Sequence, residues 1–288
     1  MHADTELHLC IINGYPQASR AKFERDHVAH PHDLFIDFFQ RYTPRAQCDV
    51  LFVADLDTPL PASDALAAYD GFVWTGSDLT IYHDHDPRVT RQIELCRAIF
   101  QAGPPQYGSC WGVQMAAVAA GGKVEANPKG REWGITGELR QTEAGRQSLL
   151  LKGKPERFKG FIMHLDEVTR IPEGGTLLVE GDHTHVQALA VTHGKGEYWA
   201  TQYHPEYNLY EMAQLIDARA GALVKEGFFP SEEAVHDHAA ELRQLFDDPI
   251  NEALRAKLGV GDDILDDGIR QQELRNWVDY LVIPGLVD

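Results

Sequence analysis

The stretch Pro105–Ala116 reads PQYGSCWGVQMA. An apolar run meets Gly108-Ser109-Cys110-Trp111-Gly112 and continues into a segment of helix-forming residues. A cysteine between two glycines at such a junction has two readings. Free cysteine is among the most buried residue types, so a packed thiol is the plain one. The other is a nucleophile on a strand-to-helix turn. A turn that sharp strains the central residue and tolerates only small neighbours. It would hold the thiol above the carboxyl edge of a sheet, where open α/β folds bind ligands. The helix N-terminus behind it would lower the thiol pKa and aim N–H groups at a developing oxyanion. The stretch alone leaves both readings open.

Working outward, Leu7–Asn13 (LHLCIIN) is a short apolar run ending at Gly14, as in a buried strand. In DLFIDFFQRY the residues Leu34, Phe35, Phe38, Phe39 and Tyr42 recur at helical spacing. CDVLFVADL predicts a second buried strand, and YDGFVWTGS a third that ends at Gly76. DPRVTRQIELCRAIFQAG predicts a helix with Val89, Ile93, Leu95, Cys96 and Ile99 inward and Gly103 as its stop. The opening stretch then supplies strand, turn and the helix from Gly112 to Ala120. Strands alternating with helices imply βαβ units and a mostly parallel central sheet flanked by helices, a flavodoxin-like α/β fold.

Past the elbow the texture changes. GITGELRQT and TLLVEGDHTHVQALAVTHGKGEYWATQYHPE read as strands with Gly-rich turns, antiparallel hairpins that extend the sheet. From Leu209 the pattern is helical again. Residues 1–227 are expected to form the catalytic domain, and 228–288 a helical C-terminal extension packed on it. RQQELRNWVDYLV predicts a last amphipathic helix through Leu274, Trp277, Val278 and Leu281.

A net charge of −18 argues against a nucleic-acid partner and against binding to an anionic membrane surface. No apolar run reaches spanning length, and the start Met1–Glu6 is polar, unlike a signal peptide. Cys10, Cys48, Cys96 and Cys110 lie far apart, as free thiols of a cytoplasmic protein would. His83-Asp84-His85-Asp86 resembles a metal cluster, but neighbours on an extended segment point to opposite faces, so no metal site is expected there. Phosphate-loop signatures are missing and no cofactor is expected.

A cysteine nucleophile needs a base, and the base needs an orienting group. YWATQYHPEY supplies both: an apolar strand runs into His204-Pro205-Glu206, and the proline fixes the backbone so that the Glu206 carboxylate reaches the imidazole. Gly-Ser-Cys-Trp-Gly followed far downstream by Gln-Tyr-His-Pro-Glu resembles the class I glutamine amidotransferase family, in the form of the GMP synthase-like glutaminase domain standing alone. The resemblance covers about the first 220 residues. It implies Cys110 as nucleophile on a glutamine side-chain amide, His204 as base and acid, and Glu206 as its orienting carboxylate.

The same resemblance implies an oxyanion hole from the loop at Gly76 and Ser77 and from the N–H of Trp111. The family usually has two glycines and a proline in that loop, so a donor at Ser77 requires dihedrals that suit serine. The Trp111 ring is expected at the pocket mouth. Gln114, Trp133, Met163, His164 and Leu165 match stretches that bind the substrate amino acid. The implied substrate is glutamine or a γ-glutamyl amide. No synthetase domain is visible, so the expected protein is either a free-standing hydrolase of a γ-glutamyl compound or a glutaminase subunit for a separate synthetase. Homo-oligomerisation is left open. An inactive binding protein on this fold has no reason to keep all three residues. The segment Arg20–His32 and the C-terminal extension exceed what a minimal glutaminase needs, and are expected to select a substrate larger than glutamine.

Overall fold

Five strands of the sheet run parallel because helices carry the chain back between them. The computed structural model describes residues 5–283, so the polar start Met1–Asp4 lies outside the described residues. β1 (Leu7–Asn13) leads into α1 (Gln17–Arg25) and α2 (Pro31–Tyr42), then β2 (Ala46–Phe52), α3 (Ser63–Leu66) and β3 (Gly71–Trp74). Next come α4 (Pro87–Ala102), β4 (Gln106–Ser109) and α5 (Trp111–Ala119). Asp86 caps α4 through the Arg88 N–H, and Gly103 ends it in the left-handed region at φ 110°.

The second half starts with short elements: β5 (Lys123–Ala126), β6 (Glu132–Ile135), β7 (Leu139–Gln141), α6 (Glu143–Gln147) and β8 (Arg157–Phe158). β9 (Phe161–His164), β10 (Asp166–Arg170), β11 (Gly175–Glu180), β12 (Val186–His193) and β13 (Gly196–Thr201) follow. The sheet order is β2-β1-β3-β4-β13-β12-β11-β7-β8. From β2 to β13 the pairing is parallel, and from β13 outward it is antiparallel, as the hairpin reading expects. β5 with β10 and β6 with β9 form two separate ribbons. β2 is a half-exposed edge strand, a correction to the buried strand expected of CDVLFVADL. Among the described residues β1 alone pairs with it, and Gln47 and Asp49 face water while Val50, Leu51 and Phe52 are partly buried.

The helical remainder is α7 (Leu209–Asp217), α8 (Ala220–Lys225), α9 (Glu232–Asp247), α10 (Glu252–Leu258), α11 (Asp262–Leu265), α12 (Asp267–Arg270) and α13 (Gln272–Trp277), closed by a π-helical turn over Val278–Val282. One sheet face buries Trp74, Val89, Ile99 and Trp111 beneath α4 and α5. The other buries Phe35, Phe39 and Tyr107 with Leu274, Trp277 and Val278 of the C-terminal segment. Trp277 stands against Gly71, where a Cβ would lie 2.9 Å from the ring, so glycine is what lets the indole reach the sheet. A third core joins Tyr15, Phe23 of α1 and Leu34 of α2 to α7 and to Val235, Leu242 and Ile264 of the C-terminal helices. The two segments beyond a minimal domain therefore share one core.

A buried polar knot ties α13 to the sheet. Lys154 Nζ reaches the Glu273 carboxylate at 3.0 Å and the Ile269 carbonyl at 2.9 Å, and Tyr203 Oη donates to Glu273 at 2.5 Å. The Lys154 and Glu273 side chains are 2% and 0% exposed. Burial lowers the Lys154 pKa, against the pull of Glu273.

Candidate active site

β4 and β13 are parallel neighbours, so both end at one edge of the sheet. Ser109 stands in register with Thr201, and the Cys110 N–H donates to the Thr201 carbonyl at 2.8 Å. Cys110 has φ 55° and ψ −98° as the residue before α5. Among the described residues only one other non-glycine, His27, has positive φ. Such strain persists only where the surroundings hold it.

The flanking glycines are not equivalent. A Cβ at Gly108 would meet Tyr198 Oη at 2.5 Å and Gly112 Cα at 2.7 Å, whereas at Gly112 the nearest atom is 3.2 Å away. Gly108→Ala is therefore expected to destabilise the protein by about 1–3 kcal/mol through overpacking. At Gly112 a gain of about 1 kcal/mol in helix propensity opposes a milder contact. Thermal unfolding of the two variants tests this, and equal losses would contradict it.

His204 follows the end of β13, held by its N–H on the Phe161 carbonyl at 2.8 Å. Its Nδ1 meets Glu206 Oε1 at 2.7 Å, and Ser109 Oγ donates to the same oxygen at 2.7 Å. The residue before the cysteine and the imidazole thus share one carboxylate. Among the described residues Nε2 has no hydrogen-bond partner of ordinary geometry, although Cys110 acts on the ring. Burial by itself would lower the imidazole pKa. The Glu206 charge, with Cys110 beside the ring, reverses this and pushes the value up to about 10.

A cleft of about 180 Å³ opens over Cys110, with Tyr15, Ser77, Gln114, Met163 and Arg219 in its wall. Ser77 has no positive φ, so the loop accepts serine there. Its hydroxyl donates to the Gly14 carbonyl at 2.8 Å and accepts from the Leu79 N–H at 3.1 Å, which pins the loop. A Cβ at Gly76 would lie 3.5 Å from His204 Cε1, so that loop runs close beside the imidazole.

Gln114 lines the cleft and donates to the Asp166 carbonyl at 3.2 Å. The Met163 carbonyl lies 3.7 Å from Cys110 Sγ. His164 is tied by Nδ1 to the Asp166 carbonyl at 2.9 Å and by Nε2 to Glu132 at 3.3 Å, and Leu165 is a partly exposed wall. Two residues stand elsewhere than expected. The Trp111 ring is 1% exposed and directed into the core, where Nε1 donates to Gln92 at 2.9 Å, so it does not form the pocket mouth. Trp133 is outside the wall and faces an apolar hollow with Met212, Phe229 and Leu242. The Arg219 guanidinium lies 5.7 Å over its ring.

Sequence reasoning missed Tyr15, Asp78, Arg131, Asp166 and Arg219, all in the cleft wall. Tyr15 follows Gly14 at the end of β1 and was findable as a strand-end residue. Arg219 follows α7 and carries no motif. The described residues hold no group of three His, Cys, Asp or Glu side chains able to bind a metal, and none of their helices is long and apolar enough to cross a membrane.

A cysteine elbow beside a histidine–carboxylate pair, at the carboxyl edge of such a sheet, is the arrangement of the cysteine-dependent α/β amide hydrolases and amidotransferases. A family profile described as glutamine amidotransferase class-I matches residues 57–219. A γ-glutamyl-L-1-hydroxyisopropylamide hydrolase of a Pseudomonas species is 32% identical over 97% of this chain and 94% of its own. GMP synthase of Clostridium novyi is 34% identical over 46% of this chain but only 24% of its own. A solved glutamine amidotransferase of Thermotoga maritima shares the fold over 98% of this chain and 99% of its own, with TM-score 0.65 at 18% identity. The chain belongs to the class I glutamine amidotransferase family.

Proposed function

We propose that this protein hydrolyses the amide bond of a γ-glutamyl compound through a thioester on Cys110. The Cys110 thiolate attacks the γ-carbonyl carbon. The negative oxygen that forms is received by backbone N–H groups at Ser77 and Trp111, donors positioned before the charge develops. Imidazolium at His204 gives its proton to the amide nitrogen, the C–N bond breaks and the amine leaves. Neutral His204 then takes a proton from water, which attacks the thioester and releases glutamate and the thiolate. Glu206 holds the proton on Nδ1, so that Nε2 handles the transfers.

The observation that carries the hydrolase reading is the extent of similarity. The Pseudomonas hydrolase matches this chain almost end to end, including α1, α2 and the C-terminal helices. The synthase matches less than half of it. Delivery of ammonia to a separate synthetase is the second reading, favoured by that synthase similarity alone. A comparison of glutamine with γ-glutamyl alkylamides, reading released ammonia or amine, separates them. A strong preference for plain glutamine would sink the first.

The raised His204 pKa sets a pH limit. Imidazolium persists as pH rises and is lost only through about pH 10, so activity should fall on the alkaline side there. Glu206→Gln removes the largest raising influence and leaves burial to lower the value. The alkaline limb of kcat/KM should then move down by about 1–3 pH units. An unmoved limb would mean that Glu206 does not tune His204.

A further inference from the structure

The cleft over Cys110, about 180 Å³, is below the roughly 300–1,000 Å³ of sites that enclose a drug-sized ligand. It has room for a γ-glutamyl group and little more. A second groove of about 540 Å³ runs between α1 and the α7–α8 junction, and it shares Asp78 and Arg219 with the cleft. These two residues form the threshold. Asp78 is held by the Ser19 hydroxyl of α1 at 2.6 Å. The Arg219 side chain forms no hydrogen bond or ion pair with any described residue, and its guanidinium lies over the Trp133 ring.

Beyond the threshold the groove carries Lys22 and Arg25, one turn apart on α1 and likewise without an ion-pair partner among the described residues. The groove wall thus carries three cations against two carboxylates, Asp26 and Asp78. In a chain of net charge −18, a groove with more cations than carboxylates, sharing its threshold with the Cys110 cleft, is a local reversal. Counter-charge from a ligand would resolve it.

We infer that this groove receives the leaving amine, and that the favoured substrates are γ-glutamyl amides whose amine portion bears a carboxylate, as in γ-glutamyl amino acids and peptides. This rests on the hydrolase reading above. Arg219 stands where the amine portion leaves the cleft, and Lys22 and Arg25 lie along its onward path. The acyl part stays over Cys110, against Gln114 and the Met163–Asp166 wall.

The test compares kcat/KM for γ-glutamylglycine and γ-glutamylethylamide with the full chain. The unmodified protein should favour γ-glutamylglycine by about tenfold, and Lys22→Glu/Arg25→Glu should erase or invert that ratio, chiefly through KM. Both positions are exposed, so folding is not at stake. A ratio near one in the unmodified protein, or one unchanged in the variant, overturns the groove assignment while the hydrolase reading stands. If no γ-glutamyl amide is hydrolysed in a Cys110-dependent way, the hydrolase reading fails and the groove assignment falls with it.

Discussion

Cys110→Ala is expected to lower kcat for γ-glutamyl amide hydrolysis by about 10⁴-fold or more, because loss of the nucleophile removes the covalent route altogether. The effect is large because no other group in the cleft wall can replace the thiolate: Cys10 and Cys96 are buried in the cores, and burial pushes both thiols up, Cys10 to about 12. Folding should be nearly unaffected, since alanine fills the same strained position with a smaller side chain. The measurement is steady-state turnover beside a melting curve and alkylation by a thiol reagent. Full turnover in the alanine variant would rule out the thioester.

Glu273→Gln should produce the largest loss of stability. It leaves the Lys154 ammonium buried without its counter-charge and weakens the hydrogen bond from Tyr203. Breaking one partner of such a pair costs about 3–5 kcal/mol, roughly 10 °C in melting temperature for a chain of this size. Replacing both partners, Lys154→Met with Glu273→Leu, should recover most of it, because the desolvation of two charges disappears along with their attraction. Thermal unfolding of the single and double variants decides. If the double is as unstable as the single, the knot contributes packing rather than charge pairing. Activity should follow stability, because Tyr203 adjoins His204.

The apolar runs were enough to read the parallel half of the sheet, since a strand covered on both faces keeps its residues apolar throughout, as in Leu7–Asn13. The same rule misled for β2, whose apolar run Val50–Val53 hides an edge position that only pairing partners reveal. Cys110, His204 and Glu206 were legible because each belongs to a local pattern of glycine, proline and strand end. Arg219 and Lys22 were not, since their meaning comes from α1 and α7 approaching one another, which no spacing encodes. The Trp111 ring was misplaced for a related reason. Its backbone position follows from the elbow, but the direction of the ring depends on Gln92, a buried acceptor on α4.

The carboxylate shared by Ser109 and His204 has a consequence for how such a protein can change over generations. It staples the chemical centre to itself across two central strands, with no help from α1 or the α7–α8 junction. On the proposed reaction, substitutions on those outer walls would alter which amine is accepted without retuning the proton-transfer geometry. Substrate preference can drift while the reaction stays constant, so relatives with the same three residues need not share a substrate.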